Sequence, residues 1–122
     1  MDNAVHILRI TADGRPVPIT LAEWNAFLAT DPDFVRPGPD NPNYHLRESL
    51  ALLPTDSANS YDWPWIHCAP NVIYSEYPQQ PMLKKIGQIA RHFGAIVRRD
   101  VGDFCFIDES GEVRIESAAV KF

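Results

Sequence analysis

The residues best suited to nucleophilic or acid–base chemistry in this sequence are cysteines and histidines. His67 and Cys68 are adjacent, and a thiol activated by an imidazole is the nucleophile of many hydrolases and transferases. Neighbouring residues on a strand point to opposite faces, however, so adjacency in sequence does not make a catalytic pair. A small hydrolase or transferase using His67, Cys68 or His92 with a nearby acid therefore stands as an alternative, and no catalytic residue is predicted.

Acidic residues concentrate near the C-terminus. Turn formation explains several of them, because Asp and Gly favour turns. The segment of residues 100–103 lacks the ligand spacing and terminal bidentate Glu of a calcium loop, so no metal site is predicted. The other interpretation is a negative patch that meets a basic partner protein. Its candidate contact residues are Asp100, Asp103, Asp108, Glu109 and Glu112.

Aromatic residues gather in the middle of the chain. They are Tyr61, Trp63, Trp65, Tyr74 and Tyr77. One interpretation places them in the core and on the sheet surface. The other is a protein-binding face, since Trp and Tyr are favoured anchors at interfaces. The proline-containing segments 36–43 and 54–62 are predicted to be loops that frame such a face.

No cofactor-binding or nucleotide-binding motif is present. The sequence contains no GxSxG, Walker loop, HExxH or GxGxxG. Cys68 and Cys105 form no CxxC pair, which argues against a zinc site and favours two buried thiols in a reducing compartment. We therefore expect no cofactor and no metal.

Charge and hydropathy limit the classes of partner. The 122 residues carry a net charge of −5, from 16 acidic and 11 basic residues. Nonspecific binding to nucleic acid or to an anionic membrane needs a basic surface, so neither partner is predicted. No signal peptide is recognised, and no apolar run approaches the roughly 20 residues that span a bilayer. The predicted location is cytoplasmic.

The clearest element is a helix over residues 81–93. Its apolar residues recur at helical spacing, and Gly94 is suited to the left-handed conformation that ends a helix. This apolar stripe consists of Met82, Ile86, Ile89, Ala90 and Phe93. The opposite, solvent-facing side is predicted to carry Lys84, Lys85, Gln88, Arg91 and His92.

An earlier helix begins at a capping box. Thr20 is the predicted N-cap and Glu23 its reciprocal partner, while Ile19 and Trp24 are spaced as a hydrophobic staple. The predicted buried face consists of Leu21, Trp24, Phe27 and Leu28.

The remaining periodic segments predict strands. They lie at residues 5–10, 63–67, 71–75, 95–98, 104–107 and 113–116, the last three forming a meander. Residues 44–53 form either a strand or a short helix, with strand favoured. The fold class is therefore α+β, with two main helices packed on a mostly antiparallel sheet, in one domain that spans residues 1–122.

Two segments carry a family resemblance. The first is Gly14-x-Pro16-x-x-Ile19-Thr20-x-x-Glu23-Trp24 followed by Asp31-Pro32-Asp33-Phe34. The second is Tyr77-Pro78, then Met82-Leu83-x-Lys85-x-x-x-Ile89-Ala90-x-x-x-Gly94-Ala95-x-Val97-x-x-Asp100-x-Gly102-Asp103-Phe104. Together they resemble small bacterial immunity proteins, which are encoded beside polymorphic or secreted antibacterial toxins.

The resemblance implies an inhibitor rather than an enzyme. Such a protein binds a cognate toxin or secreted effector in interbacterial competition and blocks its active site or the entry of its substrate. The sequence also leaves open a non-catalytic adaptor module. It does not indicate the identity of the toxin or the oligomeric state.

Overall fold

A computed structural model describes residues 4–76, Pro78, residues 80–99 and the backbones of two further strands. In this part of the chain, helices and strands follow in the order β1 (Val5–Leu8), α1 (Leu21–Leu28), β2 (Leu50–Leu52), β3 (Trp65–Cys68), β4 (Ile73–Ser75), α2 (Met82–Phe93), β5 (Ile96–Arg99), β6 (Phe104–Ile107) and β7 (Val113–Glu116). Short 3₁₀ helices span Tyr44–Leu46 and Ser60–Asp62. The predicted α+β class is confirmed. Neither described α-helix is long and apolar enough to cross a membrane.

The described strands form one sheet in the order β2-β3-β4-β1-β5-β6-β7. All of their pairings are antiparallel. β1 is central, because His6 is the cross-strand partner of Tyr74 on β4 and of Arg98 on β5. The predicted C-terminal meander is confirmed in its strands. The turns predicted to connect these strands, at residues 101–103 and 108–112, lie outside the described residues.

Both α-helices pack on the same face of the sheet. Alternate strand residues such as Ile7, Ile66 and Ile73 join Trp24 of α1 and Ile86 of α2 in one apolar cluster. These five side chains are at most 1% exposed. Burying an apolar side chain this completely contributes roughly 1.5–3 kcal/mol, so this layer holds the fold together.

Helix α1 begins as the sequence predicts. The Thr20 hydroxyl accepts a hydrogen bond from the Glu23 N–H at 3.1 Å, and the Glu23 carboxylate accepts one from the Thr20 N–H at 3.1 Å. Ile19 and Trp24 are both buried in the core cluster. Leu21 was wrongly predicted to be buried: it is 43% exposed. Helical spacing defines a face, but it does not say how far along the helix the opposing surface extends.

Helix α2 buries the predicted stripe, with Phe93 at its partly buried end. Gly94 ends the helix with φ of 61°, the left-handed conformation that glycine adopts without strain. The prediction for Lys85 is wrong, because its side chain is only 13% exposed. Its ammonium group lies 2.9 Å from Asp31 and 2.6 Å from Asp33, which follow α1. The charged Lys85 side chain is therefore largely covered because its ammonium group pairs with two carboxylates of the segment after α1.

The strand predicted over residues 44–53 is only partly confirmed. The favoured strand over residues 44–53 is wrong in its first part, where Tyr44–Leu46 is a 3₁₀ helix, and right at Leu50–Leu52. The turn arises because the Asn41 side chain accepts the Asn43 N–H at 2.8 Å, an Asx-type hydrogen bond that competes with strand pairing. At the open edge of β2, Val35 exchanges two backbone hydrogen bonds with Leu52, of 2.9 and 2.8 Å.

Candidate functional site

A row of rings crosses the sheet on the face opposite the α-helices. His67, Tyr74 and His6 are successive cross-strand partners on β3, β4 and β1. Trp65 shares their face, because it lies two residues before His67 on the same strand. The Tyr74 ring centre is 5.5 Å from Trp65, 5.6 Å from His67 and 6.2 Å from His6, each in edge-to-face geometry. All four side chains are half-buried, and we call them the aromatic face.

Two loops lie beside the aromatic face and are bonded to each other. The Tyr61 hydroxyl donates a hydrogen bond to the Asp40 carbonyl. The amide of Asn41, which is 6% exposed, donates to the Ser60 hydroxyl at 3.1 Å. These contacts join the two proline-containing loops that the sequence predicted. The loops therefore present a fixed surface rather than two independent ones.

Two open cavities lie between the loops and the aromatic face, and both are lined by Trp65 and Glu76. The smaller, of about 250 Å³, is lined by Asn43, Leu46, Leu50, Trp65, His67, Tyr74 and Glu76. The larger, of about 430 Å³, is lined by Thr55, Tyr61, Asp62, Trp63, Pro64, Trp65, Glu76, Gln80 and Pro81. We call the two together the aromatic groove. Among its described lining residues the charged ones are Asp62 and Glu76, and none is Lys or Arg.

The half-buried imidazole of His67 forms one side of the groove. Its Nε2 lies 2.8 Å from the Ser49 hydroxyl, which also donates to the Leu46 carbonyl at 3.3 Å. We therefore assign the proton to Nε2 and the acceptor role to Ser49. Burial lowers the pKa of His67, so the ring is neutral near pH 7. No described group hydrogen-bonds the buried Nδ1 of His67. A serine nucleophile needs an imidazole that accepts its proton and a further group that orients the ring. Ser49 and His67 therefore lack the arrangement of a catalytic pair.

The structure does not bring the sequence-derived enzyme residues together. Cys68 packs in the core on the helix side of the sheet, whereas His67 lies on the aromatic face. Burial, with a smaller effect of the Glu23 charge, raises the pKa of Cys68 to about 11, so its thiol is protonated at neutral pH. His92 is on α2, where its ring packs 4.9 Å from Phe27.

The remaining sequence-derived candidates have different outcomes. Trp63, Trp65 and Tyr74 line the groove together with Tyr61, while Tyr77 lies outside the described residues. The acidic contact candidates, Asp100, Asp103, Asp108, Glu109 and Glu112, also lie outside the described residues. In the described part of the chain, no group of three or more His, Cys, Asp or Glu side chains is arranged to hold a metal ion.

Two residues of this region were missed at the sequence level, His6 and Glu76. His6 joins the aromatic face only through the pairing register of β1 with β4. Glu76 follows the last residue of β4 and lines both cavities. In the sequence, Glu76 follows a strand whose buried and partly buried residues alternate, which indicates a residue near the sheet surface. The sequence does not show which strands lie beside it.

A third cavity, of about 270 Å³, lies beside Arg36 near the end of α1. The Arg36 guanidinium already donates to the Asn25 side chain and to the carbonyl oxygens of Arg47 and Glu48. This arginine therefore ties the loop to the helix, and the aromatic groove remains the better candidate site.

Comparison with known proteins finds no family model that matches this chain. No curated protein and no solved structure matches it either.

Proposed function

We propose that this protein is an immunity protein, a stoichiometric inhibitor that binds a cognate antibacterial toxin in the cytoplasm of the producing cell. It blocks the toxin's active site or the entry of its substrate. The observation that carries the proposal is the aromatic groove, in which Trp63, Trp65 and the strongly exposed Tyr61 line the larger cavity and Tyr74 joins Trp65 in the smaller one. Tryptophan and tyrosine in such partly covered positions are the residues that most often anchor protein interfaces.

The hydrogen bonds between the loops of residues 36–43 and 54–62 support an inhibitory role. A binding surface that is already ordered loses less conformational entropy when it meets its partner, so more of the contact energy appears as affinity. The hydrogen bonds from Tyr61 to Asp40 and from Asn41 to Ser60 supply this order before binding. A standard interface buries about 800 Å² on each partner, which a domain of this size can supply.

Charge supports a basic partner. The chain carries a net charge of −5, and Asp62 and Glu76 lie on the groove. Opposite charge on the toxin speeds the encounter, which matters for an inhibitor that must act before damage is done. A nuclease is a toxin class whose basic surface suits this charge. Asp100, Asp103, Asp108, Glu109 and Glu112 stay proposed as additional contacts.

The test is neutralisation of the protein encoded by the adjacent upstream gene. We expect that product to inhibit growth when expressed alone, and to be harmless and to co-purify with this protein when the two are co-expressed. Tyr61→Ala should weaken the complex by ~2 kcal/mol, roughly thirtyfold in Kd, because Tyr61 is an exposed anchor. Leu21→Ala, which removes an exposed side chain from the helix side, is the matched control and should bind normally.

Two outcomes contradict the proposal. In the first, the neighbouring product is not toxic or does not bind this protein. In the second, a stable complex forms with a non-toxic partner, which identifies the chain as an adaptor module instead. Retained folding of Tyr61→Ala, checked by circular dichroism, excludes global unfolding, and Tyr61→Phe, which removes only the hydrogen bond to Asp40, separates the loss of the ring from the loss of loop order.

A further inference from the structure

We infer that the aromatic groove receives an arginine side chain of the partner protein, which packs against Trp65 and Tyr74 and pairs with the carboxylate of Glu76. The inference rests on the proposed function for the partner's identity, and it adds the chemistry of recognition. Three features of the groove lead to it: the arrangement of its rings, the state of its carboxylates and the absence of a competing cation from its described lining.

The rings form a corner suited to a planar cation. Trp65 and Tyr74 are nearly perpendicular, at 87°, with ring centres 5.5 Å apart. A cation within about 6 Å of a ring centre is attracted by the negative charge of the ring face, most strongly for Trp. Both rings line the smaller cavity, so a side chain that enters it can contact Trp65 and Tyr74 together.

The carboxylates of the groove differ in their availability. Asp62 already accepts a hydrogen bond from the Ser57 hydroxyl at 2.9 Å. Glu76 is exposed, and within the described residues no hydrogen bond or ion pair engages its carboxylate. Glu76 also lines both cavities, so an incoming cation reaches it from either one. It is therefore the acceptor that the partner would meet.

No described Lys or Arg lines either cavity. Among the described lining residues the one ionisable nitrogen base is His67, which has a pKa lowered by burial and is neutral. The groove therefore keeps its negative charge, and a positively charged side chain is complementary to it.

Arginine fits better than lysine. Its planar guanidinium stacks on an aromatic ring while donating two parallel hydrogen bonds to a carboxylate, whereas lysine presents a compact, strongly hydrated ammonium. Both contacts already occur within this chain. Arg47 lies 4.3 Å above the centre of the Tyr44 ring, and Arg9 donates to both oxygens of Glu23 at 2.7 and 2.9 Å.

The experiment is a titration of the ¹⁵N-labelled protein with a blocked Gly-Arg-Gly peptide, following the indole N–H resonance of Trp65. The resonance is assigned by its loss in Trp65→Phe. We expect a saturable shift, with binding at least about tenfold weaker for the neutral isostere Gly-citrulline-Gly and for Glu76→Gln, because a charged hydrogen-bonded pair is lost. Glu48→Gln, an exposed acid outside the groove, is the control and should leave binding unchanged.

Citrulline and arginine peptides that bind equally, or an unchanged affinity in Glu76→Gln, would overturn the inference. If the toxin is neutralised equally well by wild type and Glu76→Gln, the groove's arginine chemistry is wrong and the proposed function stands. If the arginine peptide binds but no toxic partner exists, the proposed function fails and the recognition chemistry stands.

Discussion

At the scale of single residues, Glu23 joins two elements of the fold. Its carboxylate caps α1 through Thr20 and accepts two hydrogen bonds from the Arg9 guanidinium, which also donates to the carbonyl oxygens of Val17 and Pro18. The hydrogen bond from Arg9, followed by the one from the Thr20 backbone, lowers the pKa of Glu23 from 4.5 to about 2. A paired arginine thus fixes the segment after β1 against the start of the helix.

The lowered pKa predicts an acid-dependent loss of stability. Because the folded protein holds Glu23 ionised more firmly than the unfolded chain does, its contribution is complete above about pH 4.5 and is lost as the pH falls towards 2. Glu23→Gln should be less stable than wild type at pH 7, and the difference should shrink below pH 4 in urea unfolding followed by circular dichroism.

The matched control for this prediction is Glu48→Gln, which removes an exposed carboxylate and should keep the pH dependence of the wild type. An undiminished gap between wild type and Glu23→Gln at pH 2 would show that the residue acts through packing rather than through its charge.

At the scale of elements, Lys85 links α2 to the segment that follows α1. Lys85 and Asp31 are 13% and 12% exposed, so removing the ammonium group leaves the poorly hydrated Asp31 carboxylate without a counter-ion and with the Asp33 N–H as its remaining described donor. Lys85→Met should therefore lower the free energy of unfolding by about 1–3 kcal/mol. Chemical denaturation measures it. Lys84→Met, at the adjacent exposed position, should change stability by less than ~0.5 kcal/mol, and equal effects of the two substitutions would contradict the argument.

Structural features that depend on residues close together in sequence were predictable from the sequence. The Thr20–Glu23 capping box, the apolar stripe of α2 and the helix end at Gly94 each depend on residues within one or two turns of one another, and all three are confirmed. Features that depend on distant partners were missed. Lys85 is buried because Asp31 and Asp33 face it.

The candidate site was predictable only in part, for the same reason. The aromatic residues and the two loops stand out in the sequence. The groove, however, depends on the pairing register that places Tyr74 between His67 and His6. Glu76 becomes a candidate contact residue only because this register places it beside the groove. Composition indicated an acidic contact surface, and only the fold placed a carboxylate without a described partner, that of Glu76, beside Trp65.

At the scale of the whole molecule, a single apolar cluster contains residues of both helices and of strands β1 to β5. Trp24 links these layers directly, since its indole N–H donates to the Ser49 carbonyl next to β2 at 3.0 Å. Among the elements whose side chains are described, none has a separate core of its own. Loss of one layer exposes the apolar surface of the other, so the two are expected to unfold together.

This shared core predicts one cooperative transition. In the double variant Trp63→Phe, Trp65→Phe, Trp24 is the remaining tryptophan and reports on the core. Its fluorescence and the far-ultraviolet circular dichroism should change at the same urea concentration. Wild type, with all its tryptophans, serves as the reference for the midpoint. Separate midpoints for the two signals would show that α1 detaches before the sheet unfolds.

The bridge between Val35 and Leu52 has a consequence for how the molecule behaves at high concentration. An exposed edge strand can pair with strands from other copies of a protein, which is one way that fibrils begin to form. Here the edge strand β2 is only three residues long, and the backbone of Val35 already hydrogen-bonds the N–H and C=O of Leu52. A cell can therefore accumulate this protein in excess with little danger of amyloid growth from that side.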